Sequence, residues 1–309
     1  LNRPNRSALP HPWKVRAFLV CAAVALALMA RPLAFLVLQG RPPEFYSHIP
    51  LVPVISAAIL YGRRKVLFRG GPGSPAGGGA CLAAGLLALA VDAVRGPGPV
   101  EHAGLVALAG LLVMAGGFLL LFGRKAFVRA LFPFLFLGFM IPLPLAWMSG
   151  IVAALVAGST GVTALLLRAF RVPFVQEGAV FLLPGFDLQV AFQCSGIRST
   201  LALLITAVLA GQMFLRGRSR KSILALAVFP VSILKNGARI VILYLLSYFV
   251  DMRIIDGGFL HKSGGFIFFG LGLVLLGLAL WALRGPGEEG GGIDKRSGLG
   301  DNKSAKEKG

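Results

Sequence analysis

Polar sequence is what this chain has least of. Only 14% of its 309 residues are charged and 12 are acidic, while 56% are hydrophobic. That balance excludes both a water-soluble globular domain of this size and a disordered chain. Three cysteines are too few for a disulfide scaffold. The sequence spells out no phosphate loop, haem motif or cluster of metal ligands, so no cofactor and no metal is expected. Polar residues are confined to short connectors and a tail after Arg284. A soluble enzyme on a single anchor is excluded too, and any site must lie in or against the apolar part.

What fills the chain is a series of apolar blocks of about 15 to 25 residues, recurring from Val15 to Leu283 and mostly long enough for the roughly 20-residue helix that crosses a hydrocarbon core. The fold class is therefore all-α, a polytopic helical bundle whose solvent is the lipid bilayer. A formal charge of +19 would suggest nucleic acid in a soluble protein. Here the basic residues flank apolar spans and read as cytoplasmic retention signals, with no nucleic acid as partner.

The five basic clusters are Arg3, Arg6, Lys14 and Arg16; Arg63, Arg64, Lys65 and Arg69; Arg124, Lys125 and Arg129; Arg216, Arg218, Arg220 and Lys221; and Lys295, Arg296, Lys303, Lys306 and Lys308. If all face the cytoplasm, neighbouring clusters are separated by even numbers of crossings. Residues 17–38 and 45–61 make one pair, and 80–94 and 103–122 a second, joined by an outer turn holding Asp92, Glu101 and His102. Between Arg129 and Arg216 lie three apolar stretches, 130–145, 151–170 and 199–215, so one should not cross. The middle one is expected to be an outer interfacial or re-entrant helix, because Pro142 and Pro144 precede it and Gly150, Gly158, Ser159, Thr160 and Gly161 weaken it. Spans 223–250 and 266–283 complete about eight. The first block could also be read as a secretory signal, but its apolar run continues through Arg31-Pro32 to Leu38.

The expected organisation is one integral membrane domain, 1–284, with a disordered cytoplasmic tail, 285–309. Residues 70–79, rich in glycine with Pro72 and Pro75, read as a cytoplasmic linker. Between Val172 and Gln193, short apolar runs surround Glu177-Gly178 and Pro184-Gly185, which predicts a short outer β-hairpin or flap leading into Cys194.

Three polar residues are assigned to the outer level. Cys194 precedes a helix beginning near Ser195 to Ser199. Cys21 and Cys81 belong near the inner face, beyond disulfide reach. The helix N-terminus and Arg198 favour thiolate over thiol, although an inert free thiol fits the position equally well. Arg239 sits between apolar runs, roughly 24 Å along its helix from Ile223, where a guanidinium faces a cavity or partner. Lys235 and Asn236 share its face, making a polar stripe. His261 lies in an outer glycine-rich loop opening the last span. Cysteine and histidine form a nucleophile and base pair, and arginine can stabilise an oxyanion, so the three together suggest acyl transfer.

These residues resemble the exosortase and archaeosortase family of membrane cysteine transpeptidases. The likeness rests on Cys194-Ser195-Gly196-Ile197-Arg198-Ser199, on Asn236-Gly237-Ala238-Arg239-Ile240, and on His261 followed by Gly264. Pro142-Leu143-Pro144, Glu177-Gly178 and Leu183-Pro184 approach the cysteine in a similar way, and the likeness covers a core of about residues 131–283.

The resemblance implies secreted substrate proteins whose C-terminus carries a Pro-Glu-Pro-like signal, a transmembrane helix and a basic cluster, cleaved at the outer face of the cytoplasmic membrane. Cys194 would attack the carbonyl, and His261 would act as base and then acid. Arg239 would stabilise the oxyanion, though these last two roles are exchangeable, and Arg198 and Asn236 would position the substrate. The resulting thioester would pass to an amine, a hydroxyl or water. The alternative is a transporter or flippase that uses Lys235, Asn236 and Arg239 as a path for an anion.

Overall fold

The computed structural model describes residues 12–39, 45–68, 71–96, 98–185, 187–190, 196–249 and 259–284, the side chains of 66 and 259–264 excepted. The tail assigned to 285–309 and the connection 250–258 lie outside the described residues. Helices dominate, and among the described residues seven are long and apolar enough to cross a membrane. Their outward faces carry large apolar side chains, such as Leu19, Val20, Val24 and Phe35 on the first helix, as a lipid-facing surface requires. The chain is an all-α polytopic membrane bundle with one small sheet. It divides into two compact units, Leu1–Ser149 and Gly150–Gly309.

The first unit contains α1 (Pro12–Gln39), α2 (Leu51–Gly62), the single turn α3 (Arg64–Leu67), α4 (Pro75–Arg95) and α5 (Pro99–Leu137), which ends in a 3-10 turn, Gly138–Met140. α5 is not one straight rod. In a straight helix Phe118 and Phe134 would stand about 24 Å apart, yet their ring centroids are 5.4 Å apart. Gly123, at φ 78° and ψ 172°, turns the chain back on itself in a conformation that is essentially restricted to glycine. The two legs, 99–122 and 124–137, run antiparallel, and a Cβ at Gly104 would lie 3.3 Å from the carbonyl of Pro142. Phe18 of α1 packs edge-on against Phe118 and Phe122, and Phe68 joins them. Cys21 and Cys81 are free thiols.

The hairpin tip explains a departure from the sequence reading of 70–79. Ser74 N–H donates to the Leu119 carbonyl at 2.9 Å and Gly71 N–H to that of Phe122 at 3.3 Å, while Pro75 already opens α4. The expected linker is thus a short strap bonded to the tip, with Gly77, Gly78 and Gly79 drawn into a helix. At the opposite end, the expected turn residues Asp92 and His102 meet as a 2.9 Å pair.

Helix length bears on two expectations about crossings. Residues 45–50 form turns, and α2 has only 12 residues, about 18 Å of helix against a hydrocarbon core of about 30 Å. The stretch assigned as interfacial or re-entrant is a continuous 25-residue helix, α6 (Leu145–Ala169), and is one of the seven candidates. Pro142 and Pro144 do end the preceding segment, but the glycines within α6 leave its backbone bonds intact. In lipid no water competes for those bonds, so glycine weakens a helix less than aqueous propensities imply.

The second unit holds the rest of α6, a sheet, α7 (Ile197–Phe214), α8 (Arg218–Phe249) and α9 (Phe259–Leu283). The expected flap is present with one strand more than a hairpin. β1 (Val175–Glu177), β2 (Val180–Leu182) and β3 (Asp187–Gln189) form an antiparallel meander, with Gln176 opposite Phe181 and Phe181 opposite Leu188. Phe181, Leu183 and Val190 share a core with Ala164 and Leu167 of α6 and with Ile240, Val241 and Tyr244 of α8.

Two outcomes follow in the first unit. Gly123→Ala forces a Cβ to within 2.2 Å of the Pro72 carbonyl on top of a glycine-only backbone, and should lower stability by about 1–3 kcal/mol, read as a fall in the thermal midpoint in detergent. His48, in the turn before α2, donates Nε2–H to the Phe139 carbonyl at 3.0 Å, and burial pushes its pKa below the ordinary value of 6.5. The unfolded chain therefore binds this proton first. The stability contributed is complete above pH 6.5 and falls as the pH drops through that value toward the folded pKa. His48→Gln should flatten this acid limb in pH-dependent thermal scans.

Candidate functional site

The polar stripe expected on α8 is present and runs through the packed centre of the second unit. Lys235 and Asn236 are 3% and 1% exposed, and Arg239 is half-buried one turn further on. Successive helical residues are rotated by about 100°, so Arg239 projects between the directions taken by Lys235 and Asn236. Asn236 faces α6, where its Nδ2 donates to Ser159 Oγ at 3.1 Å. Gly237 makes that approach possible, since a Cβ there would lie 2.5 Å from Val162 Cγ1. Lys235 turns the other way and donates from Nζ to Ser199 Oγ on α7.

α7 starts from a pinned turn. Gly196 adopts φ 69°, in the left-handed region that glycine tolerates, and a Cβ on it would lie 3.3 Å from Asn236 Oδ1. Its carbonyl accepts from Ser199 Oγ at 2.8 Å, Thr200 Oγ1 at 3.0 Å and Thr200 N–H at 2.9 Å. Arg198 points outward and is exposed.

Cys194 lies outside the described residues, but both ends of its segment are described. Val190 belongs to the core that includes Ile240, Val241 and Tyr244, and its N–H donates to the Ala179 carbonyl at 2.8 Å. Gly196 abuts Asn236. One end thus lies against Asn236 and the other belongs to the core that takes in Ile240, Val241 and Tyr244, positions of α8 on either side of Arg239. Tyr244 Oη donates to the Pro184 carbonyl at 3.4 Å, and Gly185 lies against the Tyr248 ring, so the loop after β2 is held to the same end of α8.

His261 was expected in a loop. The helix begins earlier, at Phe259, and puts His261 in the first turn of α9; its side chain lies outside the described residues. Sequence reasoning missed Ser159 and Ser199 as members of the polar cluster. The signal for Ser199 was its place in the first turn of a helix after a glycine, where a hydroxyl can bond back to the backbone. Ser159 had no such signal, because its partner is 77 residues away. Among the described residues no group of histidine, cysteine and carboxylates could hold a metal ion.

Apolar spans around a partly buried basic stripe define a polytopic membrane protein with a polar centre built on one helix. The family model described as Transmembrane exosortase (Exosortase_EpsH) matches residues 41–278, and the chain belongs to that family, which is one of membrane cysteine peptidases and transpeptidases. The match includes Cys194, Arg198, Asn236, Arg239 and His261. No curated protein and no solved structure matches the chain.

The Asn236–Ser159 bond should be a measurable tie between α6 and α8. Asn236→Ala and Ser159→Ala should each cost about 1–3 kcal/mol in unfolding from mixed micelles. The double variant should lose less than the sum by about 0.5 kcal/mol or more.

Proposed function

We propose that this exosortase is a membrane-embedded cysteine transpeptidase that cleaves C-terminal sorting signals of secreted proteins on the extracytoplasmic side of the cytoplasmic membrane. The observation that carries the reading is the bracketing of Arg239 on α8 by the two anchored ends of the Cys194 segment. A guanidinium held there, half-buried in a low-dielectric bundle, is suited to stabilising negative charge that develops beside it.

In the proposed reaction the Cys194 thiolate attacks the carbonyl carbon of the scissile peptide bond, and Arg239 stabilises the oxyanion that forms. His261 takes up the thiol proton and delivers it to the nitrogen of the leaving amine. The C–N bond breaks, leaving the substrate's N-terminal part as a thioester on Cys194. An amine or hydroxyl acceptor, or water, gives a proton to His261 as it attacks that thioester and frees the thiol. Arg198, exposed at the start of α7, positions the substrate chain directly, whereas Asn236, 1% exposed, acts on it through the turn at Gly196 that it abuts.

The substrate class is a secreted protein ending in a short Pro-Glu-Pro-like signal, a transmembrane helix and a basic cluster. Such a helix lies beside the bundle and holds the signal at the membrane boundary. The competing anion path finds little support, since Lys235 is 3% exposed and closed off by its neighbours.

The test is co-expression with such a tripartite substrate, following processing by gel shift. Cys194→Ala should abolish processing. Arg239→Ala should slow it by about 10²–10³-fold and His261→Ala by about 10²–10⁴-fold. Undiminished processing by Cys194→Ala would reject the nucleophile.

A further inference from the structure

Lys235 is the group in the second unit that the proposed chemistry leaves without a task. It is 3% exposed in the middle of a membrane helix, and α9 closes over its stem, since a Cβ at Gly272 would lie 3.2 Å from Lys235 Cδ and 3.0 Å from Leu203 Cδ1. No substrate reaches an amine so enclosed. Among the described residues it forms no ion pair with a carboxylate, and Arg239 one turn away adds a second positive charge. Burying an ammonium in this way costs several kcal/mol, and a leucine or methionine would fill the space without that cost.

The hydrogen bond it makes shows where the cost is recovered. Lys235 Nζ donates to Ser199 Oγ, which leaves the hydroxyl proton of Ser199 free to point at the Gly196 carbonyl, 2.8 Å away. The lysine thereby fixes the hydroxyl as a donor to Gly196 and sets its rotamer. Gly196, left-handed at φ 69°, determines the direction in which the chain leaves α7 toward its preceding residues. At most about 7 Å of chain separates it from Cys194. A small change of direction at this turn therefore redirects the start of the segment that carries Cys194.

We propose that Lys235 is a positioning residue which, through Ser199, locks the left-handed turn at Gly196 and so aims Cys194 at the bond held beside Arg239. The proposal rests on Cys194 being the nucleophile. It assigns to Lys235 and Ser199 a part in geometry rather than in bond making.

The test uses the full-length protein in detergent or proteoliposomes with the tripartite substrate, comparing Lys235→Met, Ser199→Ala, Ser199→Thr and Cys194→Ala. A misaimed nucleophile lowers turnover without weakening substrate binding. Lys235→Met and Ser199→Ala should therefore reduce kcat by about 10–100-fold with KM changed less than about threefold. Ser199→Thr, which keeps the hydroxyl, should stay within about threefold of wild type.

Thermal unfolding separates this from a merely structural role. Removing a buried charge should leave the midpoint of Lys235→Met unchanged or raise it while kcat falls. Loss of activity only in step with a lowered midpoint, or a Ser199→Thr variant as slow as Ser199→Ala, overturns the proposal. Wild-type kcat in both Lys235→Met and Ser199→Ala, with Cys194→Ala inactive, overturns it while leaving the cysteine reading intact. Processing that survives Cys194→Ala removes the nucleophile itself.

Discussion

A charged or hydrogen-bonding side chain inside hydrocarbon must be given a partner, because the alternative costs several kcal/mol. α8 carries Lys235, Asn236 and Arg239 in consecutive turns of one stripe, and the second unit is arranged around meeting that demand. Ser159 on α6 answers Asn236 and Ser199 on α7 answers Lys235, while Gly237 lets α6 come close enough for the first bond and Gly272 lets α9 pack over the lysine stem. The requirement to satisfy polar groups thus sets which helices pack together and in what register. It also leaves Arg239 as the cation of the stripe that is not enclosed.

The sheet belongs to the same arrangement. Three short strands with a largely exposed outer surface would not hold together alone. Phe181 and Leu183 bury themselves against α6 and α8, and Tyr244 bonds the loop at Pro184. The chain that leaves β3 is therefore held at Val190 before it reaches the cysteine and again at Gly196 after it. Under the proposed function this matters because proximity contributes most to rate when the reacting groups are held in place beforehand.

Much of this was legible in the residues. Alternating apolar blocks and basic clusters give a polytopic bundle because hydropathy and charge are the two properties that a bilayer sorts. The Pro-Gly and Glu-Gly turns gave away the sheet, and Cys194, Asn236, Arg239 and His261 carried a likeness to the family that the chain belongs to. Two stretches whose helix lengths were not legible show the limits. Residues 45–61 look long enough to cross, but turns at 46–50 leave only a 12-residue helix. Residues 151–170 look too rich in glycine, yet Gly158 is covered by Ile233 and the helix continues. The reversal at Gly123 was concealed because one glycine among apolar residues reads the same in a straight helix as in a turn. The serines of the cluster depend on partners tens of residues away, which no local pattern encodes.

The central claim is that Cys194 carries the substrate as a thioester. The most direct measurement is acid quenching during turnover of the tripartite substrate, followed by mass spectrometry of the peptide containing residue 194 with and without hydroxylamine. The account predicts an adduct of the substrate's N-terminal part on Cys194, released by hydroxylamine and absent from Cys194→Ala. Steady cleavage in which that adduct never appears, or appears on another side chain, would contradict it.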